Sequence, residues 1–237
     1  MTRVLFIVIA MIIASVAYAQ PWQPVVLWDR SGAGEASWYG VKIVPLGDQN
    51  DDGYADWAVW ALGGAPPGDP SEELVEFFHG GNPPSQQPYM IFAIDSDTTD
   101  EFAHFEGVGD VNGDGYQDWD IWWHFLSDPD NWAVSIYFGG PTADAFPDFT
   151  LRIPTAHGDV GPVGDFNGDG YDDLFRYYLP PLDYSEIFYG GSPMDTIPDW
   201  ICQSPSGNRY LAWPEAHGDV NGDGYSDFIS DTPPQNA

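Results

Sequence analysis

A nine-residue acidic phrase occurs four times in this chain, and no other feature restricts its fold as much. It reads DQNDDGYAD at 48–56, DVNGDGYQD at 110–118, DFNGDGYDD at 165–173 and DVNGDGYSD at 219–227. The first aspartates of successive copies are 62, 55 and 54 residues apart. A near-constant period of tens of residues marks an array of equivalent supersecondary units. A second phrase repeats out of step with the first. Tyr137-Phe138-Gly139-Gly140, leading to Pro147-Asp148-Phe149, returns 51 residues later as Phe188-Tyr189-Gly190-Gly191, leading to Pro198-Asp199-Trp200. Residues 77–81 (FFHGG), leading to Pro88-Tyr89, are a looser third copy.

Short aromatic and β-branched runs follow each acidic phrase, at 57–62, 119–125, 174–178 and 228–229, and others precede each Gly-Gly, at 74–78, 133–138 and 186–189. Such runs, bounded by Gly, Pro, Asn and Asp, read as strands. No stretch beyond the N-terminal apolar run shows a capped 3.6-residue period. In 57–62 both alternating faces are apolar, as in a strand covered on both sides. Each unit therefore reads as about four strands. The acidic loop joins strands one and two, the Gly-Gly phrase closes strand three, and the Pro-Asp-aromatic phrase opens strand four. The fold class is all-β, and radial repetition of four-stranded blades makes a β-propeller; a β-sandwich and a β-solenoid are the alternatives. Residues 24–28 resemble a fourth strand with no blade before it, and the chain reaches Ala237 just after strand two of the fourth unit. The count is three full units plus two partial ones, so the propeller reads as incomplete, with truncation at the C-terminus the favoured account.

In D-x-N-x-D-G-x-x-D, positions one, three, five and nine carry side-chain oxygen, and position seven offers its carbonyl. Hard oxygens in that number suit Ca²⁺, which takes six to eight of them. The candidate ligands are Asp48, Asn50, Asp52, Tyr54 and Asp56; Asp110, Asn112, Asp114, Tyr116 and Asp118; Asp165, Asn167, Asp169, Tyr171 and Asp173; and Asp219, Asn221, Asp223, Tyr225 and Asp227. The tyrosines enter by backbone carbonyl alone. The expectation is up to four calcium ions. The loops are not EF-hands, which need a glutamate at position twelve; that position holds Val59, Ile121, Arg176 and Ser230. Dockerin modules need helices and a shorter repeat. Mg²⁺ keeps its waters, and Zn²⁺ wants Cys or His, which the loops lack.

The wider composition agrees. There are 37 acidic residues against 6 basic ones, a formal charge of −31. Self-repulsion at that level opposes compaction, and the negative charge makes nucleic acid and anionic membranes poor partners. Residues 1–19 have a basic start, an apolar centre and an Ala17-Tyr18-Ala19 cleavage signature, the marks of a secretory signal peptide. The mature domain is 20–237, secreted to a periplasmic, extracellular or cell-surface location, with no integral membrane segment after cleavage. Cys202 is the single cysteine, so disulfides do not stabilise the exported chain, and its thiol reads as a buried apolar group.

With these residues in place, the chain resembles the FG-GAP repeats of integrin α-subunit propellers and bacterial VCBS-type proteins. Tyr39-Gly40-Val41 through Gly47-Asp48 to Gly64-Ala65-Pro66 follows the family's FG…GDxNxDGxxD…GAP pattern. Later units keep the loop but lack the GAP triplet. The resemblance extends over 21–237 and implies a propeller, usually of seven blades, with Ca²⁺ between strands one and two. No residue set matches the integrin ligand site.

For function, this points to a non-catalytic interaction or adhesion module for a protein or glycan. A carbohydrate-active, polysaccharide lyase-like enzyme and a structural domain of a longer surface protein are the alternatives. The five histidines, His79, His104, His124, His157 and His217, show no metal-ligand spacing. His217 precedes the fourth loop and reads as a packed or solvated side chain. Trp57, Trp60, Trp119, Trp122 and Trp123 fall in predicted inner strands and read as core. Trp22, Trp38, Trp132 and Trp213 lie nearer loops and are the candidates for a ligand-stacking face.

Overall fold

The structure is a computed structural model that describes residues 29, 38–62, 73–94, 100–125, 132–153, 158–178, 184–203 and 214–230. All regular structure among them is β. The first sheet is β1 (Trp38–Gly47), β2 (Asp56–Leu62), β3 (Glu73–Phe78) and β4 (Met90–Ile94). The second is β5 (Asp100–Gly109), β6 (Asp118–Phe125), β7 (Trp132–Tyr137) and β8 (Phe149–Ile153). The third is β9 (Gly158–Gly164), β10 (Asp173–Tyr178), β11 (Tyr184–Phe188) and β12 (Trp200–Gln203). β13 (Pro214–Gly218) and β14 (Asp227–Ser230) form a two-stranded fourth sheet. Strands lie in sequence order within every sheet, each antiparallel to the next, and no sheet closes on itself. The expected unit is thus observed three times in full. Each second strand begins on the ninth-position aspartate, one residue before the expected start.

Two of the four clusters of buried side chains show how the units stack. Val44, Leu46, Ala58, Val75 and Phe77 of the first sheet share a cluster with Phe105, Trp119, Ile121 and Tyr137 of the second. Val134, Ile136 and Leu151 of the second share another with Val160, Leu174 and Phe188 of the third. The first strands of neighbouring sheets also touch: β1 against β5, β5 against β9, and β9 against β13. Middle strands are therefore covered on both faces, and β3 and β7 are buried at every position but their first. That accounts for the missing apolar–polar alternation in 57–62. Trp119 and Trp122 are buried, and Trp57, Trp60 and Trp123 are packed against clusters.

Charged side chains between the stacked strands are paired, as burial demands. Arg176 lies opposite Glu186 in the β10–β11 register. Its Nε donates to Glu186 Oε2 at 2.7 Å, and its Nη1 to the Arg152 carbonyl at 3.1 Å. Its guanidinium also lies 4.5 Å from the centre of the Phe188 ring. Where β1 meets β5, Lys42 Nζ is 3.1 Å from both His104 Nε2 and Glu106 Oε1. Burial, with the Lys42 charge beside it and Glu106 opposing, lowers the His104 pKa to about 4. Between pH 6.5 and 4 the unfolded chain therefore binds the proton and the folded chain does not, so the stability present above pH 6.5 is lost as the pH falls. His104→Gln is expected to flatten that acid limb relative to wild type in parallel melts; equal slopes would refute the assignment.

Residues 1–28, including the expected leader and the 24–28 strand, lie outside the described residues, as do the side chains of Cys202 and His217. No helix among the described residues is long and apolar enough to cross a membrane.

Candidate metal centre

Each acidic phrase forms the β1–β2-type connection of its sheet, and all four copies build the same hydrogen-bond network. The first-position carboxylate accepts the fifth-position N–H on one oxygen and the sixth-position N–H on the other. In the second loop these are Asp114 N to Asp110 Oδ1 at 3.0 Å and Gly115 N to Asp110 Oδ2 at 2.8 Å. The same pair recurs on Asp48, Asp165 and Asp219. Asparagine Oδ1 at position three accepts the fifth N–H at 2.9–3.1 Å, and the fifth-position carboxylate accepts the seventh N–H at 2.9–3.1 Å. The loop winds tightly enough that positions four and six take positive φ. At position four, Gly113, Gly168 and Gly222 lie at 73°, 76° and 80°, and Asp51 at 61° is the one described non-glycine residue in that region. Aspartate tolerates this backbone better than most side chains.

The ninth aspartate does something different. Asp118 is fully buried. Its Oδ2 accepts Val111 N at 2.9 Å, and its Oδ1 accepts Gly139 N at 2.8 Å. Asp56 takes Gln49 N and Gly80 N in the same way, and Asp173 takes Phe166 N and Gly190 N. The first glycine of the Gly-Gly phrase is thus the donor that fastens strand three to the loop. It must be glycine because a Cβ at Gly139 would sit 2.3 Å from the Gln117 carbonyl oxygen, and at Gly190 2.4 Å from that of Asp172. Sequence reasoning placed the ninth carboxylate only as a ligand; the structure makes it first a buried staple.

Electrostatics tie this residue back to the loop. Burial raises the Asp118 pKa to about 7, against the N–H groups of Gly139 and Val111, and the charges of Asp114 and Asp110 push it further up. Burial likewise raises Asp173 to about 6, with the Asp169 charge adding. At the exposed end of the loop, the Gly224 N–H lowers the Asp219 carboxyl, desolvation opposes it, and the N–H groups of Gly222 and Asp223 add to the lowering.

Among the described residues, no three His, Cys, Asp or Glu side chains already converge as a metal cage. The reason is visible in the loops. One of the four oxygen-bearing side chains is an asparagine, and its Nδ2 donates to the fifth carboxylate at 2.9 Å in the second loop. The other oxygens are turned on the loop's own N–H groups. The donor set nonetheless fits a hard cation. Carboxylate and amide oxygens that accept one N–H keep a second lone pair, and three carboxylates plus an amide oxygen in one short loop have no cationic neighbour within it.

Residues that the sequence did not single out join neighbouring loops. Gln49 Oε1 accepts Gly140 N at 2.6 Å, and its Nε2 donates to the Gln117 carbonyl at 3.0 Å. Asp172 Oδ2 accepts Asp110 N at 2.8 Å. The side chains of Tyr116, Tyr171 and Tyr225 lie against the preceding loop. A tyrosine at position seven in all four copies was the available signal. Beneath the loops, a cleft of about 480 Å³ is lined in part by Glu106, Asp165, Asp172 and Asp219. Of the ligand-face candidates, Trp22 and Trp213 lie outside the described residues, as does the side chain of Trp38 at the start of β1. Trp132 opens β7, half-buried and packed against the second cluster, because that strand is covered on both faces.

No family model matches the chain, and no curated protein matches it.

Proposed function

We propose that the chain is a secreted, calcium-loaded interaction module of the FG-GAP type, in which stacked four-stranded blades form part of a β-propeller and present loops to a protein or glycan. The observation that carries this reading is the fourfold recurrence of one oxygen-rich loop with the same internal hydrogen bonds at the same place in each sheet. Four independent turns would not keep all four oxygen positions filled without a common ligand. Calcium suits the donor set, and its role is to hold together carboxylates that otherwise repel. Contact between the first strands of successive sheets supports a radial arrangement. The leader-like residues 1–19 support export.

A binding role is supported by the end of the sheets that carries the loops. In an antiparallel meander, the connections between strands one and two and between strands three and four lie at the same end. There Phe146 and Ile197 are 78% and 69% exposed, at equivalent places in the second and third units. Each is held by a turn in which its N–H donates to Asp144 or Asp195 at 2.8 Å. The turn fixes the backbone of each residue, and exposed apolar side chains at the same place in two units are the contact residues this reading assigns to the loop end.

Two measurements test this. Elemental analysis of both compartments after equilibrium dialysis of the purified mature chain against millimolar calcium should return up to four bound calcium ions per chain. A glycan array and a panel of extracellular matrix proteins, probed with and without calcium, should show binding that Phe146→Ser with Ile197→Ser abolishes without changing the melt. A chain free of stoichiometric metal sinks the calcium reading. Turnover of a polysaccharide that survives loss of the loop carboxylates sinks the non-catalytic one.

A further inference from the structure

The four loops are linked to one another by a repeated contact. The seventh-position tyrosine of each later loop reaches back to the fourth position of the loop before it. A Cβ placed on Gly113 would lie 2.3 Å from Tyr171 Cε1, and one on Gly168 would lie 2.5 Å from Tyr225 Cε1. Those rings therefore lie directly on the preceding loop's backbone. In the first pair the fourth position is Asp51, and the contact becomes a hydrogen bond from the Tyr116 hydroxyl to Asp51 Oδ2 at 2.6 Å. Beside two of the rings runs a main-chain bond. The eighth-position N–H donates to the first-position carbonyl of the preceding loop, as Asp172 N to Asp110 O at 2.9 Å and Ser226 N to Asp165 O at 2.7 Å. The second glycine of the Gly-Gly phrase adds Gly191 N to Val111 O at 2.8 Å.

These contacts fall next to the candidate donors. The eighth residue follows the seventh, whose carbonyl is a ligand, and it is bonded to the first residue of its neighbour, whose carboxylate is a ligand. A loop drawn closed around a cation thus restrains the backbone that carries a donor of the next. Ordering shared between two sites is felt by the second ligand as a smaller loss of conformational freedom. Charge opposes this gain: a bound divalent cation makes its loop less negative by two charges, and salt at about 0.15 M screens that opposition over about 8 Å.

We propose that the loops load with positive cooperativity from neighbour to neighbour, through Tyr116, Tyr171 and Tyr225. This rests on the calcium reading above and adds to it a coupling that the donors alone do not supply. The side chains concerned donate no ligand atom, so the coupling is separable from the binding.

The test is a calcium titration of the full mature chain by isothermal calorimetry and flow dialysis. Wild type should bind with a Hill coefficient above unity. Tyr171→Ala cuts the middle link and should bring the coefficient towards unity. It should also lower the overall constant for filling all four sites by about fivefold, the lower end of common coupling strengths and about 1.5-fold per site, with stoichiometry unchanged. Tyr171→Phe keeps the ring and should behave as wild type. Tyr116→Phe removes only the hydroxyl that reaches Asp51 and should loosen the first link alone; it carries the test if Tyr171→Ala does not fold. Full stoichiometry with a coefficient of unity, or a Tyr171→Ala chain as cooperative as wild type, overturns the coupling and leaves the calcium reading standing. A wild-type chain that binds no calcium overturns both.

Discussion

Excess chelator should lower the melting temperature of the mature chain by roughly 10–20 °C. The figure follows from mass action. At a free calcium concentration about ten times the dissociation constant, one site that exists only in the folded state adds about 1.4 kcal/mol. Four such sites add about 6 kcal/mol, comparable with the whole net stability of many domains. For a chain of this size each kcal/mol moves the midpoint by about 2–4 °C. The loops give the reason for a large effect. They concentrate aspartates in a protein whose formal charge is already −31. Differential scanning calorimetry in millimolar calcium and in chelator at matched ionic strength measures the effect, and coincident melts would remove the basis for four metal-dependent loops. Magnesium substituted for calcium should restore only part of the difference, because it holds its water more tightly than these loops require.

The second large effect belongs to the buried staple. Asp118→Ala should destabilise the fold by about 3 kcal/mol, because it leaves the buried N–H groups of Val111 and Gly139 without their shared acceptor. Asp118→Asn should rescue only part of this, although it sheds the burial cost that raises the Asp118 carboxyl to about 7. Two N–H groups approach the carboxylate on its two oxygens, and an amide can offer oxygen to only one of them while turning an NH₂ on the other. The control is Asp114→Ala in the same loop, an exposed residue. In chelator it should cost less than about 1 kcal/mol, because its bonds to Tyr116 N and Asn112 Nδ2 are exposed and water replaces them, whereas Asp118→Ala should remain costly there. In calcium both should lose one bound ion. A staple variant as stable as wild type in chelator would make Asp118 a ligand and nothing more. Urea melts of the three variants, with and without chelator, decide this.

These two experiments separate roles that one residue pattern had merged. The period of the acidic phrase was enough to count the units, and the aromatic runs were enough to place strands two and three within a residue or two of where they lie. Those inferences are local. A glycine at position six, a run of β-branched and aromatic residues, or an aspartate at the head of a turn acts on its own neighbours in the chain. The same holds for the candidate donors, whose spacing is set within nine residues.

What escaped the sequence is of another kind. The partners of Asp118 include a glycine 21 residues further on. Arg176, at the place where an EF-hand would put its glutamate, finds Glu186 only because the β10–β11 register sets them opposite each other. Lys42 meets His104 and Glu106 across two sheets. Trp132, near a loop in the sequence, is packed because β7 lies inside its sheet. The tyrosine rings, written into every copy of the phrase, acquire a meaning only when one sheet stands beside the next and brings position seven over position four of another loop. Local stereochemistry and residue type determined the units and their acidic turns. Contacts between units depend on register and on the stacking of sheets, which no single unit contains, and these were left for the tertiary structure to decide.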